Sequence, residues 1–322
     1  MRWDCTAVLR GHRSRRCRPP IANASARSCV TEYGVLFREL AVPRLVGTPN
    51  HQKVRATLIR ELEARGFTVE RHAFSGRPAR ALFGAPAVIA GTNLIAHRPS
   101  GRPTVRPSVW LVAHYDSKGQ PISMLVRLLG VGLLVLGLPA LLVDCMAAIV
   151  ALGVGLAIVS QNRVTNDSPG ALDNASALIA VFMVIDQLPS DAPVGIVFPD
   201  AEEYGLVGAR ALAAHHAHLF ADTALINLDG LDDTGRPTVF AHRPGSIGTA
   251  VAAALKARQW RWLPVIVDGI ALAGVARECC SVLKGNVQTM LVVHTPADTV
   301  ARVRLDGAAS VAAGLARVLR AG

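Results

Sequence analysis

Val109-Trp110-Leu111-Val112-Ala113-His114-Tyr115-Asp116 is the stretch that sets the architecture. Five apolar residues with no polar alternation read as a strand buried on both faces, because a strand with one wet face alternates with period two. Such a strand belongs to a sheet with helices above and below it. The run ends directly on an imidazole and a carboxylate, so the carboxyl end of this strand carries groups able to do chemistry.

Working outward, Val194 to Phe198 and Ala224 to Leu228 read as further strands. Phe67 to Arg71 alternates, Asn93 to Ala96 suits another strand, and two more are predicted at Leu263 to Val267 and Gln288 to Val293. Helical spacing runs from Gln52 to Arg65, with Gly66 at the C-cap position, and from Leu178 to Ile185, stopping before Pro189. Helices are also expected near Leu206 to His216, Ser246 to Arg258 and Asp306 to Leu319. Strands alternating with helices predict an α/β fold, a mainly parallel central sheet with helices on both faces. In such sheets, sites form beyond the carboxyl ends of the strands.

The 322 residues carry a formal net charge of +11, yet only 5% are aromatic. The arginines are spread out, with no interleaved basic and aromatic platform, so no nucleic-acid partner is expected. The first 30 residues hold seven of those arginines against the single acid Asp4, with Pro19-Pro20 and no amphipathic period. They read as a basic, disordered tail, for which attraction to anionic lipid is the functional alternative. No apolar run there has the length of a secretory signal. The six cysteines (Cys5, Cys17, Cys29, Cys145, Cys279, Cys280) lack zinc-ribbon spacing and read as thiols of a reducing compartment.

The mean hydropathy of +0.35 is high, and much of the excess lies between Met124 and Val159, where Arg127 and Asp144 are the only charges. Residues 122–161 are therefore expected to be an insertion between two parts of a catalytic domain, 31–121 and 162–322. If the flanking parts share one site, the chain must return to the side it left. The expectation is a hairpin of two short transmembrane helices turning near Pro139, with membrane lipid as a partner and the domain facing the cytoplasm. Gly130, Gly132, Gly137, Gly153 and Gly155 would let its helices approach closely. A buried hairpin or a hydrophobic lid is the alternative.

Candidate chemical groups follow the predicted strands: His114 and Asp116, then Asp173 in Gly170-Ala171-Leu172-Asp173-Asn174, Glu202 and Glu203, Asp229, and His294. Singly, each has an ordinary structural explanation. Together, two imidazoles and three carboxylates could hold two divalent ions with Asp173 between them, leaving Glu202 free to move a proton. Ser117 and Ser281 lack a placed His and Asp, which argues against a serine nucleophile. His215, His216 and His218 read as a solvated helix end.

On the pieces His114-Tyr115-Asp116-Ser117, Gly170 to Ser176, Glu202 to Gly208, Asp229-Gly230 and His294 to Thr299, in that order, the chain resembles the di-zinc aminopeptidases of the bacterial leucyl aminopeptidase and aminopeptidase Y type. The resemblance runs from about Pro43 to the C-terminus, apart from the insertion. It implies a zinc exopeptidase-like fold and two Zn2+ per chain. One ion would be held by His114 and Asp229 and the other by Glu203 and His294, with Asp173 bridging. It further implies Glu202 as general base, Asp116 as the group that orients His114, and a similar service by Asp298 near His294. The substrate would be a peptide with a free N-terminus. Two departures stand out: Ala177 follows Ser176 where the family usually has Gly, and Val267-Asp268-Gly269-Ile270 replaces a Ser-Asp-His segment that lines the substrate pocket. Rival readings are a catalytically silent receptor-like or scaffold domain, a single-zinc cyclising transferase and a carboxypeptidase.

Overall fold

The computed structural model describes residues 32–79, 83–98, 106–261 and 266–321. The chain divides into two units, residues 1–35 and 36–322. Residues 32–35 of the first are helical; the basic tail expected over residues 1–30, with Cys5, Cys17 and Cys29, lies outside the described residues.

The second unit is built on one eight-stranded sheet in the order β1-β2-β4-β3-β5-β8-β6-β7. Helix α1 (Pro49–Ala64) starts at Thr48, whose side chain accepts from the His51 N–H, and leads into β1 (Thr68–Gly76) and β2 (Ile89–His97). Then come β3 (Val109–Val112), the hairpin helices α2 (Met124–Ala140) and α3 (Cys145–Val159), α4 (Ser176–Gln187), β4 (Val194–Phe198) and α5 (Val207–His215). The chain continues through β5 (Ala224–Leu231), β6 (Arg236–Arg243), α6 (Ser246–Leu255), β7 (Arg258–Trp260), the short α7 (Asp268–Leu272), β8 (Glu278–Gly285), α8 (Val287–Val292) and α9 (Asp306–Ala321).

Four neighbouring strands, β4, β3, β5 and β8, run parallel; β2 and β6 pair antiparallel onto their two edges, β1 pairs antiparallel with β2, and β7 pairs parallel with β6. The alternation along the central strands gives each face its own cover. Trp110, Val112, Val197 and Leu225 pack with Leu212 of α5 and Leu272 of α7 on one face. Phe198 meets Phe182 of α4 on the other, where α4 also packs against α9. Leu111, Ile196 and Ile226 are fully buried, as expected of strands covered on both sides. The mainly parallel sheet with helices on both faces is the architecture the sequence predicts.

One strand assignment differs. The segment expected as a strand at Gln288 to Val293 is helix α8, because Asn286 caps it: its side chain accepts from the Gln288 and Thr289 N–H groups, and Thr289 Oγ1 accepts from the Asn286 N–H. A capping box outweighs the β-branched composition of the run. The neighbouring strand is β8, whose paired cysteines Cys279 and Cys280 are both buried in the sheet. Residues 262–265 of the strand expected at Leu263 to Val267 lie outside the described residues.

The insertion is a hairpin of two helices, but the membrane reading is overturned. No helix among the described residues is long and apolar enough to cross a membrane. Helix α2 has 17 residues, about 26 Å at the helical rise, and α3 has 15, against a hydrocarbon core of about 30 Å. The first turns of α2 carry Arg127 into contact with His294, so part of that short length is used against the α/β unit. The transmembrane helices, the membrane location with a cytoplasmic orientation, and the lipid partner inferred from them therefore fall away. The turn also lies later than Pro139: that residue stays in the last turn of α2, and Asp144 caps α3 by accepting from the Ala147 N–H. Of the five glycines, Gly130, Gly137 and Gly155 make the close approaches between the two helices, while Gly132 and Gly153 face open space.

Candidate metal centre

The parallel strands deliver their terminal residues to one edge. Register pairs Val112 with Val197 of β4 and with Asn227 of β5, so His114, the turn at Glu202 and Glu203, and Asp229 emerge side by side. Asp173 arrives from the loop before α4, where Gly170 has φ +59 and the Asp173–Asn174 peptide is cis. His294 follows α8 in a left-handed conformation, φ +67, and not the end of a strand.

These residues meet. Asp173 Oδ1 lies 3.1 Å from His114 Nε2, and Asp173 Oδ2 lies 2.9 Å from His294 Nε2. Glu203 Oε2 is 3.1 Å from the same His294 nitrogen, and Asp229 Oδ1 is 4.0 Å from His114 Nε2. Two triads result, His114-Asp173-Asp229 and Asp173-Glu203-His294, each with donor atoms within 4.8 Å of one another. Asp173 Oδ1 and Glu203 Oε1 are buried with no hydrogen-bond partner. Donor spacings near 3 Å, with one oxygen of each of these two carboxylates left unpartnered, suit a cation at about 2 Å from each donor, and both triads offer the nitrogen and oxygen donors that zinc accepts. The residues fit the metal that the resemblance implies.

The electrostatics are those of crowded acids. Burial works against ionising Asp173, but the imidazoles of His114 and His294 hold it well below the usual carboxylate range. Glu203 is likewise buried, yet His294 and Lys118 bring it down to about 2. Burial, reinforced by Glu203, Asp268 and Asp229, pushes Glu202 well above the ordinary range against the pull of His114. Burial does the same to Asp229.

Supporting groups fix this constellation. The two oxygens of Asp116 accept from the backbone N–H groups of Glu202 (3.1 Å) and Glu203 (3.2 Å). Its Oδ1 is 3.4 Å from His114 Nδ1, which makes no hydrogen bond, so Asp116 positions the two-glutamate turn more directly than the imidazole. Asp298 accepts from the N–H groups of Leu172 (2.7 Å) and Asp173 (3.2 Å); it supports the Asp173 loop, where the resemblance implied a role near His294. Arg44, fully buried, donates to the carbonyls of Tyr115, Pro169 and Gly170 and ties the His114 loop to the Asp173 loop. Asp200 accepts from His51 Nε2 and Tyr115 Oη, both at 2.8 Å, a structural use of that acid.

Three residues of the site were not picked out by the sequence as site residues. Asp268 is fully buried with both oxygens unpartnered, and burial raises it to about 7. The one available signal was its place in the segment that departs from the family pattern. Lys118 donates to the Glu203 carbonyl and pairs with its Oε2, each at 3.1 Å. Arg127 comes from the hairpin, and its isolation in an otherwise apolar run was the signal. A cavity of about 590 Å³ opens over the acids, with Met124, Leu128 and Val131 of α2 in its wall. His215 and His216 at the end of α5 meet His72 near the surface, with ring centroids 4.4 Å apart for His72 and His216, and His218 lies beside His216. No metal-binding group is formed there among the described residues.

None of the curated proteins matches the chain significantly in sequence. Among solved structures, a glutaminyl cyclase from Porphyromonas gingivalis is similar at 18% identity, TM-score 0.61, over 91% of this chain and 98% of that one. The zinc aminopeptidase BSAP from Bacillus subtilis is similar at 12% identity, TM-score 0.60, over 89% of this chain and 94% of its own. An aminopeptidase from Aneurinibacillus sp. strain AM-1 is similar at 12% identity, TM-score 0.58, over 91% and 94%. At these identities the likenesses show the fold. The model of Peptidase family M28 matches residues 93–264, more than half of the chain and four of the five candidate ligands, and the chain belongs to that family.

Proposed function

We propose that this chain is a zinc-dependent aminopeptidase that hydrolyses the N-terminal bond of peptides, with His114 and Asp229 at one ion, Glu203 and His294 at the other, and Asp173 between them. The observation that carries the reading is Asp173, whose two oxygens face two different imidazoles at 3.1 and 2.9 Å. Zinc held there supplies a water of lowered pKa and a Lewis acid for the scissile carbonyl. Glu202 lines the same cavity and is the proton carrier. A carboxylate kept above its ordinary range takes a proton from the attacking water readily and returns it to the leaving amine. Asp116 holds the backbone of Glu202 and Glu203, so acid, base and ligand keep a fixed spacing. His294 and Lys118 keep Glu203 ionised against the cost of its burial.

Glu202→Gln is expected to keep its zinc and lose about 10²- to 10⁴-fold in turnover of aminoacyl amides. Undiminished turnover would remove Glu202 from the mechanism. A second reading, a cyclising transferase, is favoured by the cluster of three acids, Glu202, Asp229 and Asp268, all raised by burial, a set suited to moving protons without a water nucleophile. Product carrying a cyclised N-terminus, in place of a released amino acid, selects it.

A further inference from the structure

Among the described residues, Arg127 is a guanidinium without a counter-ion, in a cavity whose wall also holds Asp173, Glu202, Glu203 and Asp229. It sits on the stripe Met124, Arg127, Leu128, Val131, which is helical spacing, so one face of α2 lines the cavity and Arg127 is its charged member. The nearest carboxylates are engaged elsewhere: Glu203 with Lys118 and His294, Asp173 with the two imidazoles. Among the described residues Arg127 has no ion-pair partner, and its Nε is buried with no hydrogen bond. Its one partner is His294 Nδ1, to which Nη2 donates.

That contact and a zinc ligand at His294 compete. A neutral imidazole that gives its Nε2 lone pair to a metal carries its proton on Nδ1. Nδ1–H and the guanidinium are then two donors facing each other, and the guanidinium turns away. The space open to it is the cavity. A half-buried guanidinium without a counter-ion calls for a planar anion, and a carboxylate matches its fork of donors.

We propose that Arg127 binds a carboxylate of the substrate close to the scissile bond, which makes dipeptides, or residues with a short acidic side chain, the favoured substrate class. The inference rests on the aminopeptidase reading above. Its scale is right for a dipeptide: the terminal carboxylate carbon lies three bonds, about 4 Å, from the scissile carbon. Arg127 stands one imidazole ring away from the Asp173-Glu203-His294 triad. The hairpin thereby acquires a role in choosing substrates, as the element that carries this residue to the site.

The test compares kcat/KM for leucyl-alanine with leucyl-alanine amide, and for aspartyl amide with asparaginyl amide, on the zinc-loaded full chain. The first pair reads a C-terminal carboxylate and the second a side-chain carboxylate. A preference of about 10- to 100-fold for the carboxylate in one pair, mostly in KM, is expected, the range of a charge-assisted hydrogen bond. In Arg127→Gln the ratio falls toward one, and in Arg127→Lys it is partly restored. No preference in either pair, or a ratio that survives in Arg127→Gln, overturns the proposal. Binding of the same four compounds to zinc-loaded Glu202→Gln, measured by calorimetry, separates the two readings. Carboxylate-dependent binding that needs Arg127, without hydrolysis of any compound by the wild type, sinks the peptidase reading and keeps this one. Hydrolysis without carboxylate preference does the reverse.

Discussion

Asp173 faces a different imidazole with each oxygen because its backbone is held from behind: Asp298 accepts from the N–H groups of Leu172 and Asp173, and Arg44 binds the carbonyls of Pro169 and Gly170. Groups of this kind orient metal ligands without touching metal, and their loss commonly costs about 10- to 100-fold in metal affinity. Asp298→Ala is accordingly expected to weaken zinc by that factor in chelator competition, with the sheet intact by circular dichroism. Unchanged affinity would reduce Asp298 to a packing residue. At this scale the sequence was informative where residue type and order were enough: His114, Asp173, Glu203, Asp229 and His294 all reach the site. It was silent on Asp268, a lone acid in an apolar stretch, and on the partners of Lys118 and Arg127, because which side chain a cation meets is decided by the fold and not by its neighbours in the chain.

At the scale of elements, continuous apolar runs located the central strands well, and β4 has the predicted limits. The run before His294 misled because its β-branched residues suit a strand, while the Asn286 cap that makes it a helix acts through side-chain geometry. The hairpin was legible as a helical pair from its length and glycines, but its destination was not: hydropathy alone does not distinguish a span from helices that begin inside an active site. Packing between α2 and α3 depends on Gly130, where an added Cβ would come 2.5 Å from Ile158 Cγ2. Gly130→Leu is expected to cost about 1–3 kcal/mol through overpacking and to speed proteolysis at the turn over residues 141–144, whereas Gly132→Leu, with open space around it, should do neither. Equal behaviour of the two variants would contradict the packing described here.

For the whole molecule, the parallel strands and their helices form a frame that gathers the candidate ligands from five separate stretches of chain; the family match places the chain among the M28 proteins, and the solved structures share its fold. The frame concentrates five buried acids, Asp116, Asp173, Glu202, Glu203 and Asp268, and the half-buried Asp229 around two histidines and two cations. Such a concentration is compatible with folding when protons or metal ions balance it. The most direct measurement is the metal content of the purified protein by elemental analysis, read beside amino-acid release from a panel of aminoacyl amides with and without a chelator. About two zinc ions per chain are expected, with release that stops on chelation and returns when zinc is restored. Protein that holds no metal after zinc is supplied, or that releases amino acids equally well with chelator present, would contradict that expectation.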